Sequence, residues 1–404
     1  MKVKSIKARE ILDSRGNPTV EVELETEGGT FYGRAPSGAS TGKYEALELR
    51  DGGDRYRGKG VQEAIENVGE IASELEGKEV SFSEVDQLLI EMDGTDNKAE
   101  LGANAILPVS IAAVKAAAAK AGVPIWQFIG QEFETEPKLP RPSFNILNGG
   151  THAGNDLGVQ EFMIIPAEED FKEQLRKTSE VYHVLQEILE NKFDKSATNV
   201  GDEGGFAPPL RKTRTALDLI EEAINKKDYE MEIGLDSAAS EFQQKGDYNL
   251  DGTVFTQQGL LDFYKKLVED YDLVSLEDPF GEEDWESFSK MTEELGDKVN
   301  IVGDDLLVSN AQRIEKAKQK EACNTLLLKP NQVGTVSEAV KSAQLARSFD
   351  WEVMVSHRSG ETCESFIADL AVGLGAEFIK AGAPARGERV AKYNQLLRIE
   401  EKIK

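Results

Sequence analysis

Cysteine is nearly absent from this chain: Cys323 and Cys363 are the only two in 404 residues. Two thiols cannot build a disulfide framework, and such scarcity suits a reducing compartment. Cys323 closes a helical stretch just before NTLLLK and reads as a small core residue. Long apolar runs are missing too. None reaches the about 18 residues of a membrane span, so none is expected. The opening MKVKSIKAREILDS mixes charged and apolar residues without the apolar core of a secretory signal, which predicts a cytoplasmic protein. Basic residues are in short supply, 47 Lys and Arg against 74 Asp and Glu, for a net charge of −27. That field repels a nucleic-acid backbone or an anionic membrane surface, so neither is an expected partner. An anionic substrate is compatible only where metal ions or clustered cations reverse the local sign.

Six apolar runs are present instead, each ending at an ionisable side chain. MEIGL runs into Asp236, DLVSL into Glu277, NIVG into Asp304, NTLLL into Lys329, EVMVS into His357 and EFI into Lys380. The intervals of 41, 27, 25, 28 and 23 residues each fit one strand, one helix and two loops. Parallel strands buried on both faces read as continuous apolar runs, and a barrel enzyme sets its reactive groups just past their carboxyl ends. Asp236, Glu277 and Asp304 form an oxygen donor set suited to Mg²⁺. Taken singly, a strand-ending acid equally well caps a helix or pairs with Lys. Lys329 and Lys380 follow as base and electrostatic anchor. A lysine base must be held neutral against a reference pKa of about 10.4, and nearby cations push in that direction.

Upstream, TVEVELET alternates Val20, Val22 and Leu24 with acids, the pattern of a half-buried strand, and Gly28-Gly29 predicts a hairpin. Two helices follow, one with Val61, Ile65, Val68, Ala72 and Leu75 on a stripe, the other near 104–121 with Pro108 limiting or kinking its start. The proline-rich QEFETEPKLPRP marks a boundary, placing a capping domain at 1–133 and a second domain at 138–404, a size that suits a barrel. RPSFNILN and QEFMIIP are separated by only Gly149 to Val159, too short for a crossover helix, so they should pair antiparallel. Helices near 168–193 and 212–227 come next, and EFQQKGDYNLDGT is a hairpin excursion after Asp236. The predicted fold is α/β, a variant (β/α)8 TIM barrel of ββαα(βα)6 order with an N-terminal α+β cap.

Glycine-flanked loops add chemistry. GDEGGFAPP holds Asp202 and Glu203, NGGTHAGN holds His152, and SHRSGET brings His357, Arg358 and Ser359 to a strand end. Arg and Ser donors suit a phosphate or a carboxylate. Each loop alone also reads as a plain turn. Gly38-Ala39-Ser40-Thr41-Gly42 fits the nucleophile elbow of hydrolases, but that elbow needs a preceding strand and an immediate helix. A loop whose Ser40 reaches the metal is the better reading.

With these residues assembled, the chain resembles the enolase family along essentially its whole length. PSGASTG, NGGTHAG, QEF, GDEGGFAP, GLD, LEDPF, GDDL, LLLKPNQVGT, VSHRSGET and IKAGAPARGER occur in family order. The resemblance implies reversible dehydration of 2-phosphoglycerate to phosphoenolpyruvate with two Mg²⁺ ions. Asp236, Glu277 and Asp304 would hold one ion, and Ser40 a second that arrives with substrate. Lys329 would take the C2 proton and Glu203 would protonate the leaving C3 hydroxyl, supported by Glu161. Gln160, His152, His357 and Lys380 would contact substrate, Arg358 and Ser359 would hold its phosphate, and the assembly would be a homodimer or homo-octamer. Another superfamily enzyme acting α to a carboxylate, or a non-catalytic scaffold, are the competing readings. Two departures stand out: Pro330 directly after Lys329, able to displace the strand end that aims it, and Cys363-Glu364 where an acidic pair is usual. They imply at most altered kinetics or oxidant sensitivity.

Overall fold

The computed structural model describes residues 1–39 and 42–403. The chain opens with an antiparallel meander, β1 (Val3–Leu12), β2 (Pro18–Thr26) and β3 (Gly29–Arg34), followed by helices α1 (Gln62–Leu75), α2 (Phe82–Asp93), α3 (Ala103–Ala121) and α4 (Ile125–Glu132). The alternation in β2 puts Val20, Val22 and Leu24 in the core as expected. Its other face is not free, however, because Arg9 and Arg34 close over Glu21 at 2.7 and 2.6 Å. On α1, Val68, Ala72 and Leu75 are buried, but Ala64 and Ile71 share the stripe while Ile65 is only half-buried.

Helix α3 carries Pro108 inside its span, which neither starts nor ends there. A Cβ on Gly33 would lie 1.9 Å from the Pro108 carbonyl oxygen, so β3 rests directly on the helix backbone at that point. By length and composition α3 could cross a membrane, contrary to the expectation that no segment qualified. Yet 78% of its apolar window is buried within the fold, and it serves as the core helix of the cap.

The barrel follows the predicted order. β4 (Arg141–Asn148) and β5 (Glu161–Pro166) precede α5 (Phe171–Lys192) and α6 (Thr213–Lys227), then β6 (Met231–Asp236). The excursion after Asp236 is a three-stranded meander, β7 (Gln243–Gln244), β8 (Asp247–Leu250) and β9 (Thr253–Phe255), leading into α7 (Gln257–Asp270). Strand and helix then alternate through β10 (Leu273–Glu277), α8 (Trp285–Leu295), β11 (Asn300–Gly303), α9 (Ala311–Lys320), β12 (Thr325–Leu328), α10 (Val336–Arg347), β13 (Glu352–Ser356), α11 (Phe366–Leu374), β14 (Phe378–Lys380) and α12 (Gly387–Ile403). The ring closes in the order β10-β11-β12-β13-β14-β4-β5-β6. As expected, β5 runs antiparallel to β4, and also to β6, so its first residue lies at the mouth where its neighbours end.

The cap docks on that mouth. Ser37 and Gly360 exchange backbone hydrogen bonds at 2.8 and 2.9 Å. Asp86 of α2 accepts from the Ser337 amide at 2.9 Å, and Lys98 pairs with Glu338 at 2.8 Å.

Candidate active site

Every ionisable residue that ends an apolar run arrives at this mouth, but the cations sit among the acids. The buried Lys380 ammonium donates to both Glu277 oxygens at 2.8 and 2.7 Å, to Asp236 Oδ2 at 3.2 Å and to Glu161 Oε1 at 3.3 Å. Burial disfavours the ammonium, yet the charges of Glu161, Glu277 and Asp236 hold its pKa well above the ordinary lysine value. Burial, followed by the adjacent Asp236 charge, pushes Glu277 up. Lys329 bonds to Asp304 Oδ2, and Gln332 Nε2 donates to Asp304 Oδ1 at 3.0 Å. Burial opposes the Lys329 charge, but Asp304 keeps its pKa raised, so in this arrangement it is an ammonium. Pro330 opens a short helical turn, Pro330–Gln332, and that turn is what delivers Gln332 to Asp304.

A second group lies across the mouth. Asn145 donates to Glu203 Oε2 at 2.9 Å, and the imidazoles of His152 and His357 approach Glu203 Oε1 to 3.6 and 3.3 Å. Single ligand atoms of His152, Glu161 and Glu203 lie within 4.8 Å of one another. Burial and the neighbouring Glu203 charge raise Glu161 well above the carboxylate range. Glu203 moves the other way despite its burial, drawn down by His357, His152 and Arg389. Two buried carboxyls this close titrate as a pair and hold one proton between them. His357 itself is pushed down to about 4 by burial and is neutral at pH 7. Arg389 donates to its Nδ1 at 2.7 Å, which leaves the ring proton on Nε2, facing Glu203. The imidazole thus acts as an N–H dipole, with the permanent charge of Arg389 behind it.

The third corner gathers guanidinium and hydroxyl donors of the kind that suit an anion. Arg358 follows β13, and its guanidinium meets the cap residue Glu45 and Asn331 Oδ1. Ser359 Oγ accepts from Arg15 of the cap at 3.0 Å, and Arg15 also donates to the Gly38 carbonyl at 2.8 Å. One cavity is lined by all three corners: Glu45, Glu161, Glu203, Asp236, Asp304 and Lys329 face it along with Arg358, Ser359 and Lys380.

Asp236 and Glu277 are register partners on adjacent strands, and Asp304 lies just past β11, so three buried oxygen-only ligands belong to neighbouring strand ends. Such hard donors fit Mg²⁺. The sets within 4.8 Å of one another among the described residues are different, however: His152, Glu161 and Glu203, and Asp278, Asp304 and Asp305. In the expected trio, Lys380 bridges Asp236 and Glu277, and Lys329 pairs with Asp304. Asp278 is occupied structurally, accepting the Asp304 and Asp305 amides at 3.0 and 2.7 Å. Gln160 reaches Asp236 at 3.5 Å. Ser40 lies outside the described residues. The elbow reading lacks its helix, since the first α-helix after β3 begins at Gln62.

Glu45, Arg15, Asn145, Gln332 and Arg389 escaped sequence reasoning. Glu45 and Arg15 sit in the cap, where no strand-end rhythm points to them.

The comparisons agree with this geometry. The family profile "Enolase, N-terminal domain" matches residues 3–129 and "Enolase, C-terminal TIM barrel domain" matches residues 136–404. The enolase of Methanopyrus kandleri is 55% identical, covering 100% of this chain and 96% of its own length. Those of Methanocaldococcus jannaschii and Thermococcus kodakarensis are 54% and 52% identical, each covering 99% of this chain and 95% of their own. The chain belongs to the enolase family and is, with it, a hydro-lyase.

Proposed function

We propose that this protein catalyses the reversible Mg²⁺-dependent dehydration of 2-phosphoglycerate to phosphoenolpyruvate and water. The observation that carries the reading is the placement of an amine and an acid pair across one mouth. Lys329 follows β12 and Glu161 begins β5, and these strands stand four places apart in the eight-strand ring. Lys329 removes the C2 proton from one side, and the Glu203–Glu161 pair supplies a proton to the departing C3 hydroxyl from the other. Arg358 and Ser359 hold the phosphate, while Lys380, Gln160, His152 and His357 contact the rest of the substrate.

Removing the C2 proton builds a second negative charge on the substrate carboxylate, in a cavity already rich in acids. Mg²⁺ on Asp236, Glu277 and Asp304 would supply the positive charge that stabilises it and offsets the hold of Asp304 on Lys329. Ser40 is assigned to a second Mg²⁺ by the family resemblance. From the same resemblance we infer a cytoplasmic homodimer or homo-octamer in glycolysis, and place the domain boundary between residues 133 and 138.

The test follows enol formation by ultraviolet absorbance after adding 2-phosphoglycerate with and without Mg²⁺. Lys329→Ala and Glu203→Gln should each abolish turnover in a folded protein. Glu203→Gln retains the base and so should still exchange the C2 hydrogen with deuterated water, whereas Lys329→Ala should not. No metal-dependent signal in the unaltered protein overturns the reading.

A further inference from the structure

Glu45 has no part in the chemistry above, yet it is buried, lines the same cavity and holds the phosphate-binding arginine. Its Oε2 takes an N–H from Arg358 Nη1 at 2.8 Å and its Oε1 one from Nη2 at 3.2 Å, a two-pronged grip on the guanidinium. The carboxylate is fixed from behind: Oε1 also accepts the Gly42 amide at 3.0 Å and lies 3.5 Å from Gln332 Nε2. The adjacent Ala46 amide donates to the Gln332 carbonyl at 2.8 Å. The Gln332 side chain is in turn the one that reaches Asp304. The cap therefore presses a rigidly held anion onto the fork that planar and tetrahedral anions prefer.

We propose that Glu45 is an internal counter-anion for Arg358, which an incoming phosphoryl group must displace or share, so that Glu45 sets the phosphate affinity of the site. The inference rests on the dehydratase reading for the role of Arg358, and it adds a positioning residue in the cap. Two consequences follow from charge alone. Before substrate arrives, the guanidinium is neutralised and oriented instead of drawing in any available anion. After reaction, the carboxylate is at hand to reclaim the fork, which loosens the product phosphate. A singly charged anion competes poorly with a carboxylate already in place, and a doubly charged phosphoryl competes well.

The probe is inorganic phosphate, titrated calorimetrically into the Mg²⁺-loaded protein. Glu45→Gln keeps the shape and removes the charge, and should tighten phosphate binding at least tenfold. The gain should vanish in the Glu45→Gln, Arg358→Met double variant. A merely structural role for Glu45 predicts unchanged or weaker binding, and either result overturns the proposal, as does an equal gain in the double variant or the lack of phosphate binding by any form. Should Glu45→Gln fail to fold, Glu45→Asp keeps the charge but falls one methylene short of Arg358. It should tighten phosphate binding about threefold, and no tightening overturns the proposal. Failure of the dehydratase reading is a separate result, because absent turnover in the unaltered protein leaves the phosphate comparison intact.

Discussion

Lys380 spreads one ammonium over both carboxylate oxygens of Glu277, at 2.8 and 2.7 Å, with Asp236 and Glu161 close behind. All four side chains are buried. Replacing Lys380 with Met keeps the bulk and strips the charge, leaving three buried acids without their shared counter-charge. Breaking a buried pair in this way costs about 3–5 kcal/mol. Urea denaturation of Lys380→Met without Mg²⁺ should therefore show a lowered midpoint. Added Mg²⁺ should recover more stability in the variant than in the unaltered protein. A variant as stable as the parent without metal would show that the ammonium is not what neutralises these acids.

Glu161 trades stability for chemistry. Its carboxyl pKa is raised in the folded state by burial and by Glu203. The stability it contributes is full below the unfolded carboxyl value of about 4.3 and is lost as pH rises through its folded pKa. Glu161→Gln removes that loss while leaving an oxygen for Lys380. The variant should be more stable than the parent at pH 8, with the gap closing towards pH 4. Its turnover should fall by about 100-fold or more, the share of a positioned proton source. Parallel stability curves across that range would mean that Glu161 does not carry the shared proton.

The barrel was readable because parallel strands buried on both faces leave uninterrupted apolar runs, and each run broke at the residue that the mouth needed. The antiparallel β4–β5 start was readable from loop length alone. What strand rhythm did not convey is which charges would meet. Strand rhythm brought Asp236, Glu277 and Asp304 to one mouth, but not the pairing of Lys380 with Asp236 and Glu277 or of Lys329 with Asp304. Contacts such as Glu45 to Arg358 join residues 313 positions apart and leave no local pattern. Helix α2 did leave one, the capping box of Ser81 and Glu84, although the expected elements did not include that helix.

The seam between cap and barrel carries its own pH dependence. Asp86 is buried on α2, accepts the Ser337 amide at 2.9 Å and is pushed up to about 6 by burial. A carboxyl raised from 3.8 stabilises the fold fully below that value and loses the contribution as pH rises through about 6. The difference corresponds to about 3 kcal/mol. Asp86→Asn keeps an acceptor for Ser337 without the charge. Relative to the parent, it should gain stability between pH 4.5 and 7.5, read as a shift in urea midpoint at each pH. An identical pH dependence in both proteins would assign the Asp86 proton no role in docking.

The seat of the cap sheet on its core helix depends on the absence of a side chain. The Cβ that alanine would bring to position 33 falls 1.9 Å from the Pro108 carbonyl oxygen and 2.7 Å from its carbonyl carbon, both backbone atoms. Pro108 lies in the part of α3 that is buried without a break, Ala103 to Val114, so the helix cannot retreat there without opening the cap core. The strand must move instead, and β3 continues directly into the segment that pairs Ser37 with Gly360 and carries Glu45 to Arg358. Gly33→Ala should thus cost at least about 3 kcal/mol, more than a well-placed methyl in a yielding core. Because the displaced strand leads to the anion corner, the variant should also bind inorganic phosphate differently from the parent while its barrel remains folded. Calorimetry with phosphate and a urea transition followed by circular dichroism measure the two effects. A variant with the parent's urea midpoint would show that β3 does not rest on the Pro108 backbone.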